Sequence, residues 1–152
     1  GRSSAASDVY KRQVLRGSGA DTTDDLDLEI LQAMSVKTAP AFQLIREFLD
    51  APISVVPGGG LRTELMNRRV GGAKRSKHLA GLALDLRTKD QAQMLKLYDW
   101  INEQQRSSSG VLPKGGLALY LRPADGSVRF LHFDVRGRLA RWNGGARRLA
   151  LA

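Results

Sequence analysis

Ser76-Lys77-His78-Leu79-Ala80-Gly81-Leu82-Ala83-Leu84-Asp85 and Phe130-Leu131-His132-Phe133-Asp134-Val135 are the two segments from which the architecture can be read. Successive side chains of a strand point to opposite faces. In the first segment Leu82, Leu84 and Leu86 therefore share a face suited to a core, while Ala83 and Asp85 share the other. The second repeats the pattern, with Leu131, Phe133 and Val135 on one side and Phe130, His132 and Asp134 on the opposite side. Each strand buries an aliphatic side and presents polar groups on its other side. His78, in the loop before the first strand, can fold back over it. If the strands are neighbours, His78, Asp85 and His132 converge. Two imidazoles and one carboxylate are a three-ligand set for Zn²⁺, with a fourth position open for water as in catalytic rather than structural sites.

The rest of the composition narrows the alternatives. The chain has 152 residues, no cysteine and only the two histidines just named. A Cys-ligated metal, an iron–sulfur cluster, a disulfide scaffold and a thiol nucleophile are all excluded. With 42% apolar and 26% charged residues, it has an ordinary globular composition. No apolar run approaches the roughly 20 residues of a membrane-spanning helix. Gly1–Gln13 resembles the reading-frame translation of a sequencing-library adapter and is set aside from the fold. A natural N-terminus then lies upstream, and a signal peptide is not observable. The expected organisation is 1–13 artefact, 14–22 disordered lead-in, 23–145 one folded domain carrying the three-ligand set and 146–152 a tail.

Within the domain, Asp24–Met34 carries Leu26, Ile30, Leu31 and Met34 at helical spacing. A second helix starts at Thr38 or Ala39, with Pro40 in its first turn and Phe42, Ile45, Phe48 and Leu49 as its apolar stripe. Ile53–Val56 reads as a strand, Arg62–Val70 as a short helix and Leu82–Leu86 as a strand. A helix capped by Thr88 covers roughly 89–104. Leu117–Leu121 and Val128–Val135 form a hairpin around Pro123-Ala124-Asp125-Gly126. The expected class is α+β, a small, mostly antiparallel sheet with helices packed on it. Gly58-Gly59-Gly60 lacks the Lys-Ser/Thr and the strand–helix setting of a phosphate loop.

The first segment fits the pattern S-x-H-x-x-G-x-A-x-D and resembles the zinc D-Ala-D-Ala carboxypeptidases and related murein peptidases, which share a fold with the hedgehog signalling domain. The likeness extends to Gly60-Leu61-Arg62-Thr63, to Asn67–Ala73, to Gly115–Tyr120 and to Leu131–Gly137 with Arg141-Trp142. By that resemblance His78, Asp85 and His132 hold one Zn²⁺, Arg62 steadies the developing oxyanion, and Ser76 is a hydrogen-bond donor beside the metal shell or to substrate. Tyr120 lines the cleft on the substrate side or packs in the core or at an edge. The chain departs from the family pattern in two places. Gly59-Gly60-Leu61 replaces the usual S-G-Y before the arginine. Many relatives carry a Glu or His two or three residues before the last histidine as general base, where this chain has Phe130 and Arg129. The nearest replacement is Asp134, either as the base or as an ion-pair partner of Arg136 or Arg129.

The net charge of +9 and a pI near 10.5 also require an explanation. Arg68, Arg69, Lys74, Arg75 and Lys77 precede the motif's histidine, and Arg136, Arg138, Arg141, Arg147 and Arg148 follow the second segment. Such charge is the usual footprint of nucleic-acid binding. Without recognition helices or stacking aromatics at familiar spacing, the expectation is no nucleic acid but attraction to an anionic cell envelope. The implied function is a zinc metallopeptidase acting on peptidoglycan stem peptides, in the bacterial periplasm or envelope or as a phage virion or lysis protein. The alternative is a catalytically weak, metal-holding module that docks on cell wall or on a partner protein.

Overall fold

The computed structural model describes residues 10, 12–20 and 27–145. The 146–152 tail, with Arg147 and Arg148, lies outside the described residues. So do residues 24–26 of the first expected helix. Helix α1 (Leu28–Ala33) is capped by Asp27, whose carboxylate accepts from the Glu29 and Ile30 amides. It passes without a break through a wide π turn (Met34–Thr38) into α2 (Ala39–Leu49). The sequence pattern places a gap between two helices here, and the wide turn takes its place. Within an α-helix the ring of Pro40 would press on the carbonyl four residues back. The turn relieves this by routing the Ala39 amide to the Met34 carbonyl. Asp50, in the left-handed region at φ 49°, then ends α2.

The remaining elements are β1 (Ile53–Val55), α3 (Glu64–Arg69), β2 (Ala83–Thr88), α4 (Gln91–Arg106), β3 (Gly116–Leu121), β4 (Val128–Asp134) and β5 (Ala140–Gly144). The cap of α4 is Asp90, which accepts from the Gln93 amide, not Thr88. The strands form one sheet in the order β1-β2-β4-β3-β5. Every pairing is antiparallel except β3 with β5. The class is therefore α+β, as the patterning predicts, with one parallel edge that it does not. Ala140-Arg141-Trp142-Asn143-Gly144 alternates over only five residues and holds a single large apolar side chain, Trp142, too short a signal to mark β5 as a strand.

Leu84 and Leu86 of β2, Leu117 of β3 and Leu131 and Phe133 of β4 pack with Phe42 and Ile45 of α2 and Leu97 and Ile101 of α4. The opposite sheet face carries the polar residues. Asp85 sits directly across from His132, His132 from Ala118, and Ala118 from Trp142. One row across four strands thus sets a carboxylate, an imidazole, a small gap and an indole side by side.

Residues 14–20 are no loose lead-in. The Val14 side chain is buried, and its carbonyl accepts from the Leu61 amide; the Arg16 and Ser18 carbonyls accept from Gly58 and Thr63. Apolar burial and three backbone bonds hold this segment along residues 58–63. Part of the segment set aside as an artefact packs on the domain as well. Tyr10 lies in the core beside Phe42, and the Gln13 side-chain oxygen accepts from the Val55 amide.

Phe133 is 0% exposed at the centre of the helix-facing side of β4. Truncation to alanine there costs about 3–5 kcal/mol. Phe133→Ala is expected to lower the denaturant midpoint of the folded chain correspondingly; a midpoint within error of the parent would show that this face is not the core.

Candidate metal centre

His78 reaches the site from the loop between α3 and β2. The Ser76 hydroxyl accepts from the His78 amide at 3.3 Å, and the His78 carbonyl accepts from Arg62 and Gly81. These bonds shape the loop so that the ring turns back over β2. Its Nδ1–H donates to the Gly60 carbonyl at 2.7 Å. That bond leaves Nε2 to face Asp85 Oδ1 at 3.3 Å. The His132 ring is held in the opposite sense. Its Nε2–H donates to Asp134 Oδ2 at 2.8 Å, and Nδ1 faces the same Asp85 oxygen at 3.1 Å. All three residues are buried, at 3%, 4% and 6% exposure.

These residues fit a tetrahedral metal. Bonds of about 2.0–2.1 Å give a tetrahedron with edges of about 3.3–3.4 Å, close to the separations just described. His78, Asp85 and His132 offer ligand atoms that all lie within 4.8 Å of one another. Each imidazole gives its second nitrogen to a fixed acceptor, which sets the tautomer and raises the basicity of the nitrogen left over.

Arg62 is fixed against the other oxygen of Asp85. Its Nη2 lies 3.3 Å from Asp85 Oδ2, Nε donates to the Gly58 carbonyl, and Nη1 donates to the Asn67 side chain. Asn67 is itself buried and donates to the Ala73 carbonyl. Behind His132, Asp134 is completely buried. It accepts from the Gly116 amide and from the amide and guanidinium of Arg136. Gly116 permits this approach, since a Cβ there would collide with the carboxylate. Gly59 does the same for Asp85, where an added Cβ would stand 2.7 Å from the Asp85 Cβ.

Of the two roles expected for Asp134, the geometry shows the ion pair, with Arg136. The carboxylate is 0% exposed, is bonded to His132, Arg136 and Gly116, and is not among the residues lining the cleft. It orients His132 and pairs with Arg136. Arg129, the other expected partner, makes no ion pair with it. Ser76 and Tyr120 both line the cleft in front of the metal ligands. The Ser76 hydroxyl shapes the His78 loop, and the Tyr120 hydroxyl accepts from Trp142 Nε1 at 3.0 Å. Two contributors are backbone groups that leave no side-chain signal, the Gly60 carbonyl and the Gly116 amide; Asn67 stands in the matched Asn67–Ala73 run, but its part in holding Arg62 is seen only in the fold.

The Peptidase M15 family model matches residues 9–114. The chain belongs to the Peptidase M15 family. The match takes in Arg62, Ser76, His78 and Asp85. It ends before His132, which the pairing of β2 with β4 sets beside Asp85. M15 peptidases are metal-dependent, so this is a metallopeptidase, a hydrolase acting on peptide bonds. No curated protein matches the chain closely enough to count as a relative.

The electrostatics follow from burial and bonding. For Asp85, burial favours the neutral acid, but bonds from His132 and His78 outweigh it and hold the pKa at about 2. For His132, burial favours the neutral ring, yet bonds to Asp134 and Asp85 raise its pKa above the ordinary imidazole value. Asp134 resists protonation despite burial, because His132, Arg136 and the Gly116 amide all donate to it, and its pKa lies well below the usual carboxylate range.

Two outcomes follow. Without metal, the depressed carboxylates contribute stability that is present above about pH 4 and lost as pH falls. The raised His132 contributes stability that is present below about pH 6.5 and lost as pH rises through its folded value. The chelated chain is therefore expected to melt highest between about pH 4 and pH 6.5. Zn²⁺ requires the neutral ring and should move that maximum upward. A metal-free melting temperature that climbs from pH 6.5 to pH 8 would contradict this. Second, Asp134→Asn replaces the charged acceptor behind His132 and should weaken metal affinity about 10–100-fold in a chelator competition. Unchanged affinity would mean Asp134 does not support the ligand.

Proposed function

We propose that the protein is a zinc-dependent peptidase that hydrolyses peptide bonds of peptidoglycan stem peptides, as a carboxypeptidase or an endopeptidase. The observation that carries this reading is the convergence of His78 Nε2, Asp85 Oδ1 and His132 Nδ1 in an open cleft of about 550 Å³. Ligands buried at the base of a cleft suit a metal that acts on a substrate, not one that ties the fold together. When bound, zinc supplies Lewis acidity, which acidifies water and polarises a carbonyl.

The protein's own residues do the rest. The Gly60 carbonyl and Asp134 keep both imidazoles in the ligating tautomer. Arg62, held by Gly58, Asn67 and Asp85, keeps a cation next to the metal ligands without reorganisation. It is in place to stabilise negative charge developing on the substrate carbonyl oxygen. Gly58, Gly59, Gly71 and Gly72 line the same cleft and let a peptide backbone approach closely.

The basic surface fits an anionic envelope polymer, which supports action in the bacterial envelope or in phage lysis. Among the described residues no helix is long and apolar enough to cross a membrane. A second reading has its own support. Among the described residues, Asp85 is the one carboxylate lining the cleft, and His78 and His132 are the chain's only imidazoles. All three belong to the ligand set, and no further group of this kind is ready to take a proton from water. That favours a slow enzyme or a metal-holding wall-binding module.

Incubation with purified murein sacculi separates the two readings. Release of new peptide ends that stops with a chelator, returns with Zn²⁺ and disappears in His78→Ala supports the peptidase. Binding to sacculi without any release, by chain shown to carry metal, supports the module and removes the enzyme.

A further inference from the structure

The cleft holds more positive charge than the metal centre uses. Arg62, Arg75, Lys77, Arg129 and Arg136 line it, against the single carboxylate of Asp85 among the described residues. Arg62 is engaged with Asp85, and Arg136 with Asp134. Arg129 has no ion-pair partner among the described residues, and its side chain is exposed.

Its position is built by the backbone. Tyr120 pairs with Phe130, but the next residue, Leu121, pairs with Val128, so Arg129 is the extra residue of a β-bulge. In a regular strand Arg129 would share the helix-facing side of Leu131 and Phe133. A bulge re-aims such a side chain, and here it joins Phe130 on the cleft. The guanidinium lies 5.7 Å from the centroid of the Phe130 ring, which stacks on Tyr120 at 4.6 Å. Arg87 Nε donates to the Arg129 carbonyl at 3.2 Å and ties the bulge to β2. An unpaired guanidinium therefore stands on a stacked aromatic support at the lip of the site.

We propose that Arg129 is a specificity-determining residue that binds a free carboxylate of the substrate in the cleft beside the metal centre. The planar fork of a guanidinium takes a carboxylate through two parallel bonds. Arg75 and Lys77 on the opposite loop add to the attraction. The assignment rests on the peptidase reading for its substrate. The carboxylate has two possible sources on a stem peptide, an acidic side chain and the C-terminus.

The experiment uses one labelled stem peptide ending in two D-alanines, in four forms: side-chain carboxylate free or amidated, and C-terminus free or amidated. Binding to the full zinc-loaded chain is read by fluorescence anisotropy at 4 °C before turnover, with zinc content checked for each variant. Amidating one of the two carboxylates is expected to weaken binding by about three- to tenfold. Which amide carries the penalty identifies the source. Arg129→Gln should abolish the penalty and Arg129→Glu should reverse it. Arg138→Gln, the same charge change at an exposed residue outside the cleft, should leave it intact. The proposal is overturned if amidation has no effect on the parent, if the penalty survives Arg129→Gln, or if Arg138→Gln removes it equally. Binding that shows the penalty, by a zinc-loaded chain that on warming cleaves neither these peptides nor murein sacculi, leaves the Arg129 site standing and removes the peptidase reading instead.

Discussion

One oxygen of Asp85, held between an imidazole nitrogen of His78 and one of His132, is the contact on which the rest of the site depends. A carboxylate this deeply buried is costly unless it is ligated or hydrogen-bonded. Here the fold supplies partners on every side: the two rings at one oxygen and Arg62 at the other. None of these partners is adjacent in sequence. They meet because β2 and β4 pair in the register that sets Asp85 opposite His132, and because the His78 loop turns back against Gly60.

That register is maintained from the other face of the sheet. Leu84, Leu86, Leu131 and Phe133 are locked against α2 and α4, and slipping the pairing by one residue would turn the ligands into the core. Apolar packing on one side thus fixes ligand geometry on the other. A further layer lies at the end of β4, where Asp134 joins His132 to Arg136 and to the Gly116 amide. This acceptor holds the second ligand ring as the Gly60 carbonyl holds the first. One ring is thus fixed by backbone and the other by a charged network, and the two turn opposite nitrogens, His78 Nε2 and His132 Nδ1, to the same Asp85 oxygen.

Much of this was legible in the residues. The alternation in the two segments gave the strand faces, and the pairing of hydrophobic and polar sides gave the convergence of His78, Asp85 and His132. The helices and the hairpin also follow from periodicity and turn chemistry. The unreadable parts share a physical cause: they depend on backbone groups or on long-range pairing. The Gly60 carbonyl leaves no trace in side-chain pattern. Strand β5 is a five-residue run with one large apolar side chain, and its pairing with β3 is a long-range contact. The bulge at Arg129 is a two-against-one count between strands that no local pattern records. Asp134 lay on the expected face, but its role was set by Gly116 and Arg136 at close quarters. The ordering of residues 14–20 likewise comes from carbonyls that cap the Gly58–Thr63 segment.

M15 membership implies a metal, and His78, Asp85 and His132 are a group that could hold it. X-ray absorption at the zinc edge of the metal-loaded chain tests that claim most directly. The account predicts one zinc per chain in a shell of nitrogen and oxygen only, with the scattering signature of two imidazoles and a short bond to a carboxylate oxygen. A chain that retains no zinc after dialysis, or a shell containing fewer than two imidazoles, would contradict it.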